Sequence, residues 1–576
     1  MRHEAGAGRC FYDIQYAVSA EPTRVESIRV ASNHLASPSI EKQTVTAWPA
    51  RLAPANRNHK IFIFSFCKRL GKSCVSDSKK LPAQLEFALS ATHSGSMFGK
   101  NIAGRRLGIG IDFGTSNSAA ALFDGENIHL IYLEHQVAVM PSATYIDRDF
   151  QIQTGQDAIN QYIQSNTGRT VELIAEVLGE SRTSTGQISD HGLPEEASTQ
   201  KVYGQSLVDS GQQGRLFRGI KRLLGNDPTQ RIMVFERPFR LVALITPLLL
   251  RIRRSIKRVL PEHASHTELP DHACIGHPVN FEGTGSDRNH SALKLLAEAY
   301  GYAEFKDQSF YPEPIAAALS YVHAHPHAQE QTLLAVDFGG GTLDLCILRR
   351  SSANFSVVAT HGVGLGGDHI DQLMFKHLLF PLLGKGERWS RAGEDREIET
   401  AFPFEDYEEF LLSWTISYML NQNKFTTPLM QRIQVGDEAA DKFRRLYDLI
   451  KNNYSYLVFQ CLKDLKAELS EKPQAILDIP ELDIELLVTR AEFDAIISSV
   501  LLRFQEAITA VLDRAHMSAA NIQLVVRTGG SSLIPAIKTI LDAQFPDRVI
   551  EHDPFTSVAA GLAIAEYHRL GSPLAS

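Results

Sequence analysis

At 576 residues the chain is too long for a single hydrophobic core, so two to four domains are expected. Its apolar share of 44% and charged share of 22% are those of an ordinary soluble globular protein. Residues 1–106 carry 16 Lys+Arg against 7 Asp+Glu, which leaves 42 against 59 for an acidic remainder and argues against nucleic acid as its principal partner.

Cys10, Cys67, Cys74, Cys274, Cys346 and Cys461 form no Cys-x-x-Cys pair, so neither a disulfide framework nor a zinc site is expected. Leu241–Leu250, the longest apolar stretch, is about half of what a membrane span needs. A soluble, cytoplasmic protein without a membrane partner is the resulting expectation.

Residues 1–104 are basic, rich in Ser, Ala, Pro and Asn, and lack sustained periodicity. A disordered arm, a targeting segment and upstream sequence ahead of a true start at Met97 are the competing readings. Early acids (Glu4, Asp13, Glu21, Glu26) count against a transit peptide, and the start at Met97 is preferred. Regular structure begins at Arg105 with a strand Leu107–Ile111, a polar turn and a strand Ala119–Phe123. A long polar and partly helical section follows to about Asn226, broken by a Ser/Thr/Gly-rich stretch at Ser181–Gly214. Phe239–Val259 is expected to be helical, with its basic residues on a solvated face. A strand at Ala273–His277 and helices at His290–Gly301 and Pro314–His323 come next. His323, His325 and His327 are more simply a polar loop than a metal site. The hairpin Thr332–Leu348 opens a second half, which runs through helices to about Glu471. Short strands, a strand at Gln523–Arg527 and a helix at Thr556–Leu570 complete it. Phe402–Trp414 reads as packing within an insertion or as a partner surface.

Two hairpins repeat one pattern 225 residues apart. GIDFGTSNS (110–118) and VDFGGGTLD (336–344) each run from a buried strand through Asp, an aromatic, glycines and Thr into a second strand. Backbone N–H groups supply many phosphate donors in little space, and glycine lets the chain come close to the oxygens. Gly114, Gly339, Gly340 and Gly341 suit this role, with Thr115, Ser116 and Thr342 adding hydroxyls. A carboxylate at the end of a buried strand needs a partner. Asp112 and Asp337, brought face to face by a duplication, would hold Mg²⁺ through its waters. One such hairpin is weak evidence for a phosphate site; two matched copies are strong.

These loops, together with FRGIKRLLG (217–225), EPIAAALSY (313–321), GGDHID (366–371) and GGSSLIP (529–535), resemble the nucleotide-binding domain of the seventy-kilodalton heat-shock (DnaK-type) chaperones. IGHPVNFEG (275–283) and FYPEPIAA (310–317) are similar to the YegD-like branch. The resemblance covers about Arg105 to the C-terminus and implies an α/β, duplicated actin-like ATPase fold with the nucleotide between two lobes. The expected divisions are an extension (1–104), lobe I (105–330), lobe II with an enlarged insertion (331–555) and a C-terminal helix returning to lobe I (556–576).

The resemblance implies ATP and Mg²⁺ as ligands and a role for each motif residue. Asp112 and Asp337 would hold the metal waters, with Glu313 behind them. Lys221 would stand beside the γ-phosphate and Asp344 would support the cation. Thr115, Ser116 and Gly339–Thr342 would cradle the phosphates. Gly366, Gly367, Asp368, Gly529, Gly530 and Ser531 would contact the nucleoside, with Lys466 and Ser470 reaching the ribose and base. Pro278, ending a strand, falls where the family relays nucleotide state, although a plain strand-ending proline accounts for it equally. GVGLGG (362–367) is not read as a dinucleotide fingerprint, since no clean βαβ unit with a ribose-binding acid follows.

Two departures matter. Where the family stacks adenine between arginines, this chain has Ala467 and Leu533. The resemblance also stops before any peptide-binding domain. The expected function is therefore a slow ATPase that acts as a nucleotide-dependent switch on a protein client or co-chaperone. A small-molecule kinase, a non-catalytic nucleotide sensor and a filament former are the rivals.

Overall fold

The structure, a computed structural model, describes residues 106–573 apart from 184–197, 261–270, 284–285, 326–330, 352–353 and 393–396. These residues belong to one unit, Ser96–Ser576. The expectations for residues 1–104 lie outside the described residues.

Two five-strand paths carry the same topology. In the first, Asp307–Pro312, His272–His277, Gly108–Phe113, Asn117–Phe123 and Ile128–Leu130 lie side by side. In the second, Val549–Glu551, Leu524–Thr528, Gln331–Phe338, Leu343–Ser351 and Asn354–Val363 follow the same order. In both, the leading strand pairs antiparallel with its hairpin partner and parallel with a strand reached by a long crossover. The register repeats too: Asp112 faces Ala119 and Asp337 faces Asp344, one residue before each strand ends. This is the duplicated actin-like ATPase fold.

Alternation along a strand sends successive side chains to opposite faces. Ile109 and Ile111 therefore enter a core with Ile245, Leu248, Ile252 and Leu296. On the other face, the helix Ser557–His568 packs through Ala559, Leu562 and Ala563 against Ala119, Ala121 and Cys274. Gly110 permits that approach, because a Cβ there would lie 2.2 Å from the carbonyl oxygen of Ala559. Gly561 does the same against the helix Glu313–Ala324, whose Ala316 oxygen lies 1.7 Å from where a Cβ would be.

The structure corrects three readings. The polar section before Asn226 is mainly strand: Ala143–Asp147, Ile152–Thr154, Leu173–Thr183, Ser198–Asp209 and Gly214–Arg218, with the helix Gly155–Asn166 among them. The basic helix (Leu241–Val259) is not simply solvated. Arg251 pairs with Glu134 at 2.6 Å, and Arg253 lies buried over the Phe305 ring, while Arg254, Lys257 and Arg258 are exposed. A hairpin, Arg388–Ala392 with Glu397–Ala401, interrupts the expected helical run of the second half.

The aromatic stretch Phe402–Trp414 is packing. Phe402, Phe404, Tyr407 and Trp414 are buried in the second half's main core. That core also takes in Tyr145, Ile159 and Tyr162 from the first half. The Tyr162 hydroxyl donates to the Thr415 carbonyl, the Asn421 amide donates to the Arg169 carbonyl (2.8 Å), and the Val171 N–H donates to the Asn421 carbonyl (2.8 Å). The insertion thus straps the two halves together. His323 meets Phe123 edge-on and His325 stacks on Tyr321, while His327 lies outside the described residues.

Candidate nucleotide and metal site

Each hairpin delivers its aspartate to the same place. Asp112, Asp337, Asp344 and Glu313 lie within one field around Lys221. Glu313 arrives at the first position of its helix, just after the parallel strand Asp307–Pro312, with Pro314 fixing the helix start. Lys221 comes from a short turn, Ile220–Leu223, entered through Gly219 at φ +66°. Its side chain is 7% exposed, and Nζ lies 2.5 Å from Oε1 of Glu313.

The electrostatics of this cluster point to a divalent cation. Burial, reinforced by Glu313, pushes Asp112 up to about 7 despite Lys221. Burial and then Asp344, Glu313 and Asp112 push Asp337 up to about 7. Burial pushes Asp344 up to about 6, opposed by its hydrogen bond with Thr342. For Lys221, burial acts downward, but Glu313 and Asp112 outweigh it and hold the ammonium above its ordinary range. Four carboxylates against one lysine are mutually unfavourable until a cation joins them. All four keep some accessible surface, so a hydrated ion can reach them. No group of three His, Cys, Asp or Glu among the described residues is arranged to ligate a metal directly. A magnesium ion, which keeps most of its waters, fits such a donor set.

Above the carboxylates, the glycine loops interlock through backbone bonds. The Gly339 N–H donates to the Thr342 carbonyl (3.0 Å), closing the second loop. The N–H groups of Gly367 and Asp368 donate to the carbonyls of Gly339 and Gly340 at 3.0 and 2.7 Å. The Ser531 hydroxyl donates to the Gly339 carbonyl at 2.9 Å. The first loop faces the second, since Ser116 Oγ lies 3.1 Å from where a Gly340 Cβ would be. Gly114 stands where a Cβ would strike the Asn117 carbonyl oxygen at 2.2 Å, and Thr115 lies beside Gly219. Gly529 takes φ +80°, the left-handed region that suits glycine, and a Cβ there would lie 2.6 Å from the Asp337 carboxylate.

Lys466 is not free: its Nζ donates to Asp371 Oδ1 (2.5 Å) and to the Gly367 carbonyl (3.2 Å). The Ser470 hydroxyl donates back to the Lys466 carbonyl within the helix Ser455–Glu471, so the structure ties it to no loop residue. Gly366 and Gly367 pack against Gly340 and Ser531, and Gly530 packs against Phe555.

Sequence reasoning missed three cations here. Arg222 reaches from the first half to lie against Gly341, 2.2 Å from where a Cβ would stand. Arg218 lies over the Trp414 ring at 5.1 Å, and Lys463 sits one helical turn before Lys466. Burial lowers the Lys463 ammonium, and the Arg218 charge adds to that. Arg218 and Arg222 both lie in FRGIKRLLG (217–225) and were legible as neighbours of Lys221; Lys463 carried no signal without the tertiary fold. A separate open groove of about 690 Å³, with Phe239, Val242, Pro247 and Tyr302 on its wall, contains none of these residues. It has neither a phosphate loop nor a carboxylate cluster, so the loop cleft is the better site for a polyphosphate.

With this geometry in place, the likeness to known proteins is informative. The family model described as Hsp70 protein matches residues 286–385 and 439–567. Over those segments the chain is similar to Hsp70. The chaperone protein DnaK of Halobacterium salinarum is 24% identical over 468 residues, covering 79% of this chain and 55% of that protein. Chaperone protein dnaK1 of Synechocystis is 23% identical over 468 residues, covering 79% and 53%. The chain thus spans about half the length of the curated relatives it matches. The interval between the two Hsp70 segments, 386–438, holds Trp414, Tyr418 and Asn421 of the strap.

Proposed function

We propose that this Hsp70-like chain binds Mg-ATP between two lobes, residues 105–330 and 331–555, with 556–576 returning to the first. In this reading it hydrolyses ATP slowly and passes its nucleotide state to a protein client or co-chaperone in the cytoplasm. The observation that carries it is the carboxylate cluster around Lys221 at the foot of two facing glycine loops.

Phosphoryl transfer is mostly positioning and electrostatics. When bound, magnesium would neutralise the β- and γ-phosphate oxygens and be held by Asp112 and Asp337 through water. Glu313 fixes the Lys221 ammonium at 2.5 Å, so that charge is oriented before substrate arrives. Lys221 then stabilises the terminal phosphate and orients the attacking water. Thr115, Ser116 and the loop Gly339–Thr342 hold the phosphates, and Thr342 keeps Asp344 in place through its hydroxyl. The face of Gly366–Asp368 and Gly529–Ser531 receives the nucleoside, beside Lys466 and Ser470.

The test is magnesium-dependent phosphate release by wild type, Lys221→Ala and Asp112→Asn, with and without unfolded polypeptide. Turnover that survives both substitutions contradicts the assignment. Tight ATP binding without turnover supports a nucleotide sensor, and release only with an added sugar or carboxylic acid supports a kinase.

A further inference from the structure

The nucleoside end of the cleft has an aromatic residue that nothing above uses. Phe555 is 55% exposed, although its neighbours Thr556 and Ser557 are buried. Its ring carbons Cε1 and Cζ lie 3.1 and 3.2 Å from where a Gly530 Cβ would be, so the ring is in contact with the second nucleoside loop. The backbone beneath it is fixed. The N–H groups of Phe555 and Thr556 donate to Asp553 Oδ1 at 3.0 and 3.1 Å, and the Gly529 N–H donates to the Pro554 carbonyl at 3.1 Å. Exposing a phenylalanine forfeits the stabilisation its burial would supply, and here a turn holds it out beside a glycine that leaves its face uncovered.

The surroundings match an apolar heterocycle. Gly530 and Ser531 belong to the same loop that meets Gly367 and Lys466. The two positions where the resemblance would put stacking arginines carry no charge: Ala467 is exposed on its helix and Leu533 is half-buried, while the neighbouring Lys466 is held by Asp371. A π-face offers what those positions lack, since any base can stack on an aromatic ring.

We propose that Phe555 is the base-stacking residue of this site, its exposed ring forming the apolar face on which the adenine lies beside Gly530. This rests on the Mg-ATP reading above and adds to it the residue that recognises the base.

Equilibrium binding of Mg-ATP and of Mg-tripolyphosphate, which has phosphates but no base, separates the two ideas. In Phe555→Ala, ATP affinity falls about tenfold while tripolyphosphate affinity stays within twofold of wild type. Phe555→Trp retains ATP affinity, and its indole fluorescence is quenched on ATP addition but not on tripolyphosphate addition. ATP affinity in Phe555→Ala within twofold of wild type would overturn the proposal. So would an equal loss for both ligands, which marks a damaged loop rather than a lost base contact. Failure of the wild type to bind either ligand overturns the Mg-ATP reading itself, and this inference with it.

Discussion

At the residue scale, the loop cleft is a set of charges that the protein holds at a cost. Asp337 has its carboxyl raised to about 7 by burial and three neighbouring carboxylates, against 3.8 in an exposed chain. A carboxyl raised in the folded state binds its proton more tightly there than in the unfolded chain. Its contribution to stability is complete below the unfolded value and disappears as pH rises through about 7. Metal-free melting curves should therefore show Asp337→Asn gaining on wild type as pH increases from 5 to 8, and magnesium should reverse that order. A pH-independent difference would mean the four carboxylates are not coupled. Lys221→Ala should lower turnover about a hundredfold or more while ATP affinity changes far less, measured as kcat against Kd, because Lys221 acts on charge developing in the transition state. Asp112 and Asp337 could be named from the sequence because the duplicated motif marks them, and Lys221 because FRGIKRLLG (217–225) carries the resemblance. Phe555 could not, since only the fold sets it beside Gly530, a residue 25 positions earlier in the chain.

At the element scale, the two hairpins were legible because strand, aspartate and glycine turn lie next to one another in sequence. Their partners were less so. The ribbon Leu173–Thr183 with Ser198–Asp209 is rich in polar residues and has no apolar alternation of its own to announce it. The close packing of helix on helix also reaches beyond local pattern. Gly561→Val should destabilise by about 3 kcal/mol or more, seen as a lowered Tm, because the new side chain has only the Ala316 backbone to meet. An unchanged Tm would show that the two helices can separate. The strap is the second such element. Trp414 is 8% exposed, packs edge-on against Tyr162 and supports Arg218, so it joins the two halves. Trp414→Ala should speed release of a fluorescent nucleotide by about tenfold, a change worth 1.4 kcal/mol at the barrier. Unchanged release would mean that the strap does not govern exchange.

At the scale of the whole molecule, duplication explains why the site exists. Two sheets with one strand order and one register must present equivalent loop ends, and their facing aspartates then create a need for a cation that neither half has alone. The segments similar to Hsp70 hold the whole of the second sheet and Glu313, while residues 386–438 between them add the strap. A small lobe movement is then opposed by a shared core rather than by a water-filled gap. If Mg-ATP binds as proposed, its exchange is accordingly expected to be slow.

The most direct measurement is calorimetric titration of the full chain with ATP, with and without magnesium, in buffers of differing ionisation heat at pH 7. One ATP should bind per chain, with a strong dependence on magnesium and with proton release as the Asp112 and Asp337 carboxyls yield to the metal. All three features should be lost in the Asp112→Asn, Asp337→Asn double variant. Binding that is indifferent to magnesium, or that persists unchanged in the double variant, would contradict the Mg-ATP reading.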